Sequence, residues 1–233
     1  EGEEREALDE DEVRAALAGL RAAGYRALAV VLLHSDRFPD HERRVGELAR
    51  GAGFPQVSLS HEVSPLLRVV SRGQTTVVDA YLSPILRRYV EQVRAELGGV
   101  RLLFMQSNGG LVEADFFQGK DAILSGPAGG MVGAVRSAEA AGVHRLITFD
   151  MGGTSTDVAH YAGELERSFE SEVAGVLLRA PLLRIHTVAA GGGSLLHFDG
   201  ERFRVGPDSA GALPGPACYR RGGPLALTDA NLQ

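Results

Sequence analysis

A short run of acids, glycines and hydroxyl residues stands between two apolar segments, at residues 146–149 and 158–159. The run reads Asp150-Met151-Gly152-Gly153-Thr154-Ser155-Thr156-Asp157. The apolar segments predict two strands joined by a tight turn. Glycines at such a turn let an anion reach the backbone N–H groups, and flanking acids are suited to hold Mg²⁺ or to orient a water. The run therefore predicts a phosphate-binding hairpin with a metal, and the alternative is an ordinary solvated turn.

A second glycine-rich segment follows a predicted strand at residues 185–189. Gly191, Gly192 and Gly193 stand directly before Ser194. They predict a loop that faces the base or phosphates of a nucleotide. The alternative is a flexible connection between strands.

A third candidate lies at residues 106–110, Gln-Ser-Asn-Gly-Gly, after a predicted strand. Ligands of open α/β sheets bind at the carboxyl ends of strands, so Ser107, Asn108 and Gly109 are candidate contacts to a polar substrate. An ordinary Asn-Gly turn is the alternative. Ser125-Gly126-Pro127 predicts a helix start, whose N–H groups are able to bind an anion.

Two other reactive side chains carry weaker signals. His186 lies in a predicted strand near the triple glycine, where it is either a ligand or a packed strand residue. None of the seven histidines has the spacing of a metal site. Cys218 has no identifiable activating partner in the sequence, so no nucleophilic role is assigned to it.

Helix and strand patterns alternate near the start of the chain. Apolar spacing predicts helices at residues 8–20 and 39–51, and short apolar runs predict strands at 26–33, buried on both faces, and at 56–59. This order is typical of an α/β fold with a largely parallel sheet.

The later elements are predicted in the same way. A long helix is expected at about residues 75–97, with a stripe of apolar side chains along one face. A strand at 100–105, a helix at 125–141 and a strand pair at 195–205 follow, and residues 206–223 have no periodicity. The apolar stripe consists of Val78, Leu82, Ile85, Leu86, Tyr89 and Val93.

Composition limits the class of protein. The 233 residues include 44% hydrophobic residues, enough for one or two domains, and the net charge of −6 without a dense basic run argues against nucleic-acid binding. A single cysteine excludes an internal disulfide, and no apolar segment is long enough to span a membrane. We therefore expect a cytoplasmic protein. Because the first residue is Glu1, we also expect a piece of a longer chain.

Several motifs in a fixed order resemble the hydantoinase A/5-oxoprolinase family. The motifs are residues 105–110, 125–130, 149–158, 190–194, 205–211, 214–219 and 228–231. The resemblance covers the chain from about residue 70 to the end, and residues 1–60 resemble the family only loosely.

The resemblance implies a fold class, an α/β actin/hexokinase-like ATPase fold with mixed sheets flanked by helices. Such a fold has two related lobes with one phosphate hairpin in each and the nucleotide between them. The hairpin at 150–157 is similar to the second-lobe one, whereas the first-lobe hairpin, of the Gly-Gly-Thr-Phe-Thr-Asp type, is absent from this sequence. Residues 1–142 are then the remainder of the first lobe with connecting helices, and residues 143–233 are the start of the second lobe.

The resemblance also implies an activity. Family members use ATP and magnesium to open a five-membered cyclic amide, hydantoin or 5-oxoproline, by phosphorylating the ring carbonyl. A second hydantoinase B-type subunit or domain is the implied partner. One alternative is the ATP-binding subunit of a ketone carboxylase of the acetone type. Another is a non-catalytic module that binds a nucleotide and a partner subunit.

The candidate residues receive roles on this basis. Asp150 is expected to hold magnesium through water, and Asp157 is expected to orient a hydroxyl or water, so the two form the candidate catalytic pair. The candidate nucleotide and phosphate ligands are Gly152, Gly153, Thr154, Ser155, Thr156, Gly191, Gly192 and Gly193.

Overall fold

The computed structural model describes residues 2–173 and 175–233 and has a mixed α/β architecture. The described chain forms two compact units. Unit 1 contains the residues up to Ser125 together with Arg167–Leu183, and unit 2 contains Gly126–Glu166 together with Arg184–Gln233. The chain therefore leaves unit 1, enters unit 2 and returns once before it ends in unit 2.

Unit 1 begins with the predicted alternation of helices and strands. The elements are α1 (Glu10–Ala22), β1 (Ala27–Val30), α2 (Asp40–Gly51) and β2 (Gln56–Leu59). The strands pair in parallel from Ala27 opposite Gln56 to Val30 opposite Leu59, as the helix–strand order predicts. The other pairings between described strands are antiparallel, so the described sheets are mixed, as the predicted fold class has them.

The first strand is shorter and less buried than its sequence predicts. Only Val30 is buried, and the other three residues of β1 are partly exposed. In the described structure β1 pairs with β2 alone, so its other edge has no neighbouring strand. The core of this region lies between the helices and consists of Leu17, Leu48, Ala49 and Phe54.

The remaining elements of this part are α3 (Ser60–Val63), α4 (Val69–Leu97), β3 (Leu103–Met105), β4 (Leu111–Glu113) and α5 (Gly119–Ala122). The long helix α4 begins earlier than predicted and contains Pro84. Its predicted apolar stripe is not its buried face, because Ile85 and Tyr89 are exposed. The buried face is mostly polar and includes Arg72, Thr75, Thr76, Asp79 and Ser83.

A buried network of charged groups explains that polar face. The fully buried guanidinium group of Arg72 donates to Ser60 Oγ at 2.9 Å, to Asp36 Oδ1 at 3.0 Å and to nearby backbone carbonyls. Ser60 in turn donates to Glu42, which is also fully buried, at 2.8 Å. Buried charges are tolerated when they are paired and hydrogen-bonded, so this network joins α2, α3, α4 and the segment after β1.

Glu42 is held as a carboxylate by its donors. Its oxygens accept the N–H groups of Leu32 at 2.8 Å and His61 at 2.9 Å, and His61 Nδ1 lies 2.8 Å away. Burial acts to raise the pKa of Glu42, but these hydrogen bonds outweigh burial and hold the pKa below its ordinary value.

Unit 2 is built on α6 (Ser125–Ala140) and the hairpin of β5 (Leu146–Met151) and β6 (Thr156–Tyr161). The short strands β7 (Arg167–Ser168), β8 (Ser171–Val173), β9 (Val176–Leu178) and β10 (Leu182–Leu183) belong to unit 1. Unit 2 then continues with β11 (His186–Val188), β12 (Ser194–Phe198), β13 (Phe203–Ser209) and α7 (Leu227–Ala230). The final strand extends into the segment predicted to be irregular.

The sheet of unit 2 has the order β11-β6-β5, with antiparallel pairing throughout. The Tyr161 hydroxyl on β6 donates to Glu139 on α6, and Met131 and Val135 of α6 are buried. That hydrogen bond lowers the pKa of Glu139 and raises the pKa of Tyr161. None of the helices within the described residues is long and apolar enough to cross a membrane.

Replacement of Glu42 tests the buried network. Glu42→Gln keeps the side-chain volume but puts an amide NH₂ in place of an acceptor, so at least one buried donor loses its partner. We expect the free energy of unfolding of unit 1 to fall by about 2–3 kcal/mol, measured by urea unfolding.

Glu47→Gln is the matched control, since Glu47 lies on the same helix with its side chain 52% exposed in a pair with Arg44. It should change the free energy of unfolding by less than about 0.5 kcal/mol. Equal losses for the two variants would contradict the role assigned to Glu42.

Candidate functional site

The predicted hairpin is confirmed, and its two acids lie opposite each other. Asp150 of β5 is paired with Asp157 of β6, and the last pair before the turn is Met151 with Thr156. Side chains at directly opposite positions share one face of a sheet, and like charges there are destabilising. Folding alone does not favour this pair, so its position indicates a ligand of opposite charge.

The turn at the tip of the hairpin leaves donors unpaired. The Gly152 N–H donates to Ser155 O at 2.9 Å and closes the turn. Within the described part of the chain, the N–H groups of Gly153, Thr154 and Ser155 form no hydrogen bond. Unpaired and solvent-facing N–H groups at a glycine turn are able to receive an anion.

The three hydroxyl groups of the run differ in availability. Thr156 is buried and its Oγ1 donates to Ala190 O at 2.6 Å. Thr154 is exposed, Ser155 is partly exposed, and neither side chain is hydrogen-bonded among the described residues. Thr154 and Ser155 are therefore placed to meet a ligand, whereas the Thr156 hydroxyl joins the hairpin to the loop before Gly191.

The fold itself does not require glycine at the tip. A Cβ atom on Gly153 meets no atom within 4 Å, and one on Gly152 meets only Ser155 O at 3.5 Å. Neither residue has a φ angle in the left-handed region. The two glycines therefore leave open space above the turn that nothing in the described chain fills.

A groove runs beside the two acids. Helix α6 lines it with small residues, of which Gly130 is the closest, since a Cβ there lies 3.2 Å from Asp150 Oδ2. The cavity has a volume of about 230 Å³ and also contacts Thr148, Ala159 and Ile185. A larger residue at 130 pushes against the Asp150 carboxylate, so Gly130 helps to keep that carboxylate accessible.

Asp157 is oriented by the neighbouring strand. Thr187 of β11 stands opposite Asp157 in the register, and its Oγ1 donates to Asp157 Oδ1 at 2.6 Å. One oxygen of Asp157 is thereby fixed, and the other is left for a water or hydroxyl.

The triple glycine packs against the hairpin. Gly192 N donates to Gly152 O at 2.9 Å, and Gly193 N donates to Gly153 O at 2.7 Å. A Cβ on Gly191 lies 2.7 Å from Gly152 O, which is too close for any side chain. The absence of side chains in this loop is explained by its contact with the hairpin backbone, and a contact with the nucleotide stays a prediction.

The Gln106–Gly110 segment belongs to unit 1 and forms the turn between β3 and β4. Asn108 Oδ1 accepts the Gly110 N–H at 2.7 Å, and Gly109 has a φ of +82°, as an Asn-Gly turn requires. Ser107 is only 1% exposed, and its Oγ donates to Asp121 O at 2.6 Å. Local structure thus accounts for these three residues, and their contact with a substrate remains a prediction.

His186 and Cys218, the last two candidates, differ in their surroundings. His186 is exposed on β11, paired with Val158. The Cys218 N–H donates to Asp229 Oδ1 at 2.7 Å. The hydrogen bond between their side chains raises the pKa of the Cys218 thiol, and this opposes the thiolate that a nucleophile requires.

The acids of the hairpin fit magnesium better than a metal held by protein ligands alone. No group of three or more His, Cys, Asp or Glu side chains that could hold a metal occurs among residues 2–173 and 175–233. Mg²⁺ usually keeps several waters and binds one or two carboxylates together with substrate phosphates. Asp150 and Asp157 match that ligand set.

Family models match almost the whole sequence. The model described as Hydantoinase/oxoprolinase matches residues 72–233, and the model of the Hydantoinase/oxoprolinase N-terminal region matches residues 1–53. The chain belongs to the hydantoinase/oxoprolinase family. The expectation that residues 1–60 resemble the family only loosely is therefore wrong. The match was missed because this region has no glycine motif of the kind found later in the chain.

Curated relatives agree with this assignment. The 5-oxoprolinase of Saccharomyces cerevisiae is 51% identical over 229 residues, which are 96% of this chain and 18% of that protein. Arabidopsis thaliana 5-oxoprolinase 1 is 51% identical over 97% of this chain and 18% of its own length. The caprolactamase subunit alpha of Pseudomonas jessenii is 40% identical over all of this chain and 35% of its own length. The chain thus spans less than a fifth of the length of the 5-oxoprolinases.

Two solved structures share the fold. The ATP-dependent caprolactamase from Pseudomonas jessenii matches with a TM-score of 0.79 and 39% identity, over 99% of this chain and 35% of that one. An acetone carboxylase, described in a study of ATP-dependent acetone carboxylation, matches with a TM-score of 0.77 and 28% identity, over 97% of this chain and 34% of that one.

Sequence reasoning missed the residues that support the hairpin. Gly130, Thr187 and Thr228 touch the acids or the loops beside them, yet none was named as a candidate site residue. The register of β11 against β6 was the available signal for Thr187, because both strands were predicted. Thr228 stands in the motif at residues 228–231, but that motif does not indicate a contact with Gly192.

A pair of glycine variants tests which glycines the fold requires. Gly191→Ala places a methyl group against the hairpin backbone, and we expect a loss of about 1–3 kcal/mol in the free energy of unfolding. Gly153→Ala meets no atom and should change it by less than about 0.5 kcal/mol. Chemical unfolding of both variants measures the difference, and similar losses would show that the tip glycine is structural as well.

Asp121 provides a test of pH dependence. Burial raises the pKa of this carboxyl group, Lys120 opposes the rise and Asp79 adds to it. A raised folded pKa means that the group stabilises the fold fully below its ordinary value of 3.8 and that this stabilisation is lost as the pH rises through the folded pKa. Asp121→Asn should therefore be more stable than the wild type at pH 7, with the difference vanishing in acid.

The matched control is Asp115→Asn, since the Asp115 side chain is 72% exposed in a pair with Arg94. Thermal unfolding at several pH values should give this control a nearly constant offset from the wild type. A constant offset for Asp121→Asn as well would contradict the raised pKa.

Proposed function

We propose that the chain is part of an ATP-dependent enzyme that opens a cyclic amide by phosphorylating its ring carbonyl. The observation that carries the proposal is the hairpin tip, where two opposed acids, two glycines without a structural need and unpaired N–H groups occur together. Those features suit the terminal phosphates of a nucleotide with Mg²⁺.

Phosphorylation explains why such a reaction uses ATP. An amide carbonyl is a weak electrophile and its nitrogen is a poor leaving group. Transfer of the γ-phosphoryl group forms a bond to the carbonyl oxygen and breaks the bond to ADP. One water then adds to the ring carbon, the C–N bond breaks, and a second water releases phosphate. The balance is cyclic amide, ATP and two waters to amino acid, ADP and phosphate.

The residues of the hairpin have separate proposed roles. The N–H groups of Gly153, Thr154 and Ser155 bind phosphate oxygens, and the hydroxyls of Thr154 and Ser155 donate to them. Asp150 would hold Mg²⁺ through water, and the metal would neutralise phosphate charge. Asp157, oriented by Thr187, accepts a hydrogen bond from a water or hydroxyl. The protein then acts mainly by position and charge.

The proposed fold is actin/hexokinase-like. We assign residues 1–142 to the remainder of a first lobe and residues 143–233 to the start of a second. The similarity to an ATP-dependent caprolactamase and an acetone carboxylase supports an ATPase fold of this kind. The hairpin at 150–157 has the strand–turn–strand form of a phosphate loop.

We propose that the substrate is a five-membered cyclic amide, and we favour 5-oxoproline over hydantoin. The relatives at 51% identity are named 5-oxoprolinase, and the caprolactamase relative also opens a ring amide by its name. The second candidate is the ATP-binding subunit of a ketone carboxylase, which the 28% identical acetone carboxylase favours. The same phosphorylation of a carbonyl oxygen serves both reactions.

We further propose a second hydantoinase B-type subunit or domain as partner. The name of the caprolactamase relative, subunit alpha, implies a companion subunit in that enzyme. We also propose a cytoplasmic location, because a single cysteine fits a reducing compartment.

The test is ATP turnover by the full-length parent protein. We expect ADP release to depend on 5-oxoproline, and less or not at all on hydantoin, caprolactam, or acetone with bicarbonate. Asp150→Asn should lower kcat by about 100-fold, because the metal and its charge neutralisation are lost. Asp208→Asn, an exposed position of the same unit, is the control and should retain full turnover.

Gly153→Ala extends the same experiment, since its methyl group occupies the space proposed for phosphate. It should weaken ATP turnover without changing the unfolding midpoint. Turnover by Asp150→Asn equal to that of the wild type would refute the assignment of the hairpin. Stimulation by acetone and bicarbonate alone would favour the carboxylase.

A further inference from the structure

The backbone of the triple-glycine loop fixes the hairpin tip from one side. The N–H groups of Gly192 and Gly193 hold the carbonyls of Gly152 and Gly153 at 2.9 and 2.7 Å. Gly191 and Gly193 are buried, and a Cβ on either lies within 3 Å of the hairpin backbone. The tip therefore follows the position of this loop.

Thr228 contributes two of the hydrogen bonds that fix this loop. The Ala210 N–H also donates to Gly193 O at 2.8 Å, and the Gly191 N–H donates to Ser194 Oγ at 3.0 Å. Both the N–H and the Oγ1 of Thr228 donate to Gly192 O, each at 2.8 Å. A Cβ on Gly192 lies 2.5 Å from Thr228 Oγ1, so glycine is needed for this approach. Two donors on one carbonyl satisfy both of its lone pairs and define the orientation of the peptide.

Thr228 has a rigid support of its own. The next residue, Asp229, accepts the N–H groups of Ala217 at 3.1 Å, Cys218 at 2.7 Å and Ala226 at 2.7 Å. Three N–H donors to one carboxylate tie α7 to the turn at 217–218. The Cys218 side chain, and after it these N–H groups, hold the pKa of Asp229 below its ordinary value. The backbone next to Thr228 is thus held in place by these hydrogen bonds.

We propose that Thr228 is a positioning residue for phosphoryl transfer, acting through Gly192 on the phosphate hairpin. It touches neither nucleotide nor substrate. Its hydroxyl fixes the peptide of Gly192, which fixes Gly152 and Gly153 and with them the unpaired N–H groups of the tip. This inference rests on the proposed function of the hairpin. Thr228 lies more than seventy residues after the hairpin in the sequence, and the reaction is proposed to depend on it.

The test compares Thr228→Val with Thr228→Ser in the full-length parent. Valine keeps the shape and removes the hydroxyl, and we expect kcat for ATP turnover to fall about 10- to 100-fold, as for a small misplacement of catalytic groups. Serine keeps the hydroxyl and should retain most of kcat. The unfolding midpoint of Thr228→Val should stay close to that of the wild type.

Thr76→Val is the matched control. The hydroxyl of Thr76 also donates to a backbone carbonyl, Arg72 O at 2.8 Å, but inside a helix of unit 1. It should not lower kcat. Equal losses for the Thr76 and Thr228 valine variants, or failure of Thr228→Ser to restore kcat, would overturn the positioning role.

Hydrogen exchange of the folded wild type keeps the proposal testable if Thr228→Val does not fold. Amides at 192–193 should exchange slowly, and amides at 153–155 should exchange fast until ATP and Mg²⁺ are added. Fast exchange at 192–193 would overturn the inference. Loss of turnover in Asp150→Asn with normal turnover in Thr228→Val would refute this inference alone, whereas normal turnover in Asp150→Asn would refute the proposed function.

Discussion

The proposed phosphate site depends on one constraint, namely that the hairpin tip is held in place without the use of the N–H groups of Gly153, Thr154 and Ser155. A turn normally gains order by pairing its N–H groups, but paired groups are unable to bind phosphate. The protein resolves the conflict by holding the carbonyl side of the turn. Gly192 and Gly193 bind the carbonyls of Gly152 and Gly153, and the N–H groups from Gly153 to Ser155 stay unpaired within the described chain.

This arrangement explains two kinds of glycine in one site. Gly152 and Gly153 have open space around their Cα atoms, so their small size serves something outside the fold. Gly191 and Gly193 touch the hairpin backbone, so their small size serves packing. A glycine-rich sequence by itself does not distinguish the two, because the difference lies in which backbone approaches which.

Local sequence predicted the elements well where periodicity and turn chemistry decide them. The strands of the hairpin, β2 and α6 all fall close to their predicted positions. The buried face of α4 was mispredicted, because apolar periodicity does not reveal Arg72 and its distant partner Glu42, which are joined through Ser60 and through the backbone of Leu32. The support of the hairpin by Thr228 was not predicted either, since the motif at residues 228–231 does not indicate a long-range contact with Gly192.

The opposed carboxylates of Asp150 and Asp157 have a consequence for how stability and activity relate in this family member. Two like charges in register work against folding, so this pair lowers stability at the position proposed to bind metal and phosphate. A cation bound there removes the repulsion and, by binding the folded state alone, raises its stability. Selection for a more stable ligand-free protein would replace one of the two acids first. The resulting variant would be more stable without its ligands but would lack the proposed metal site.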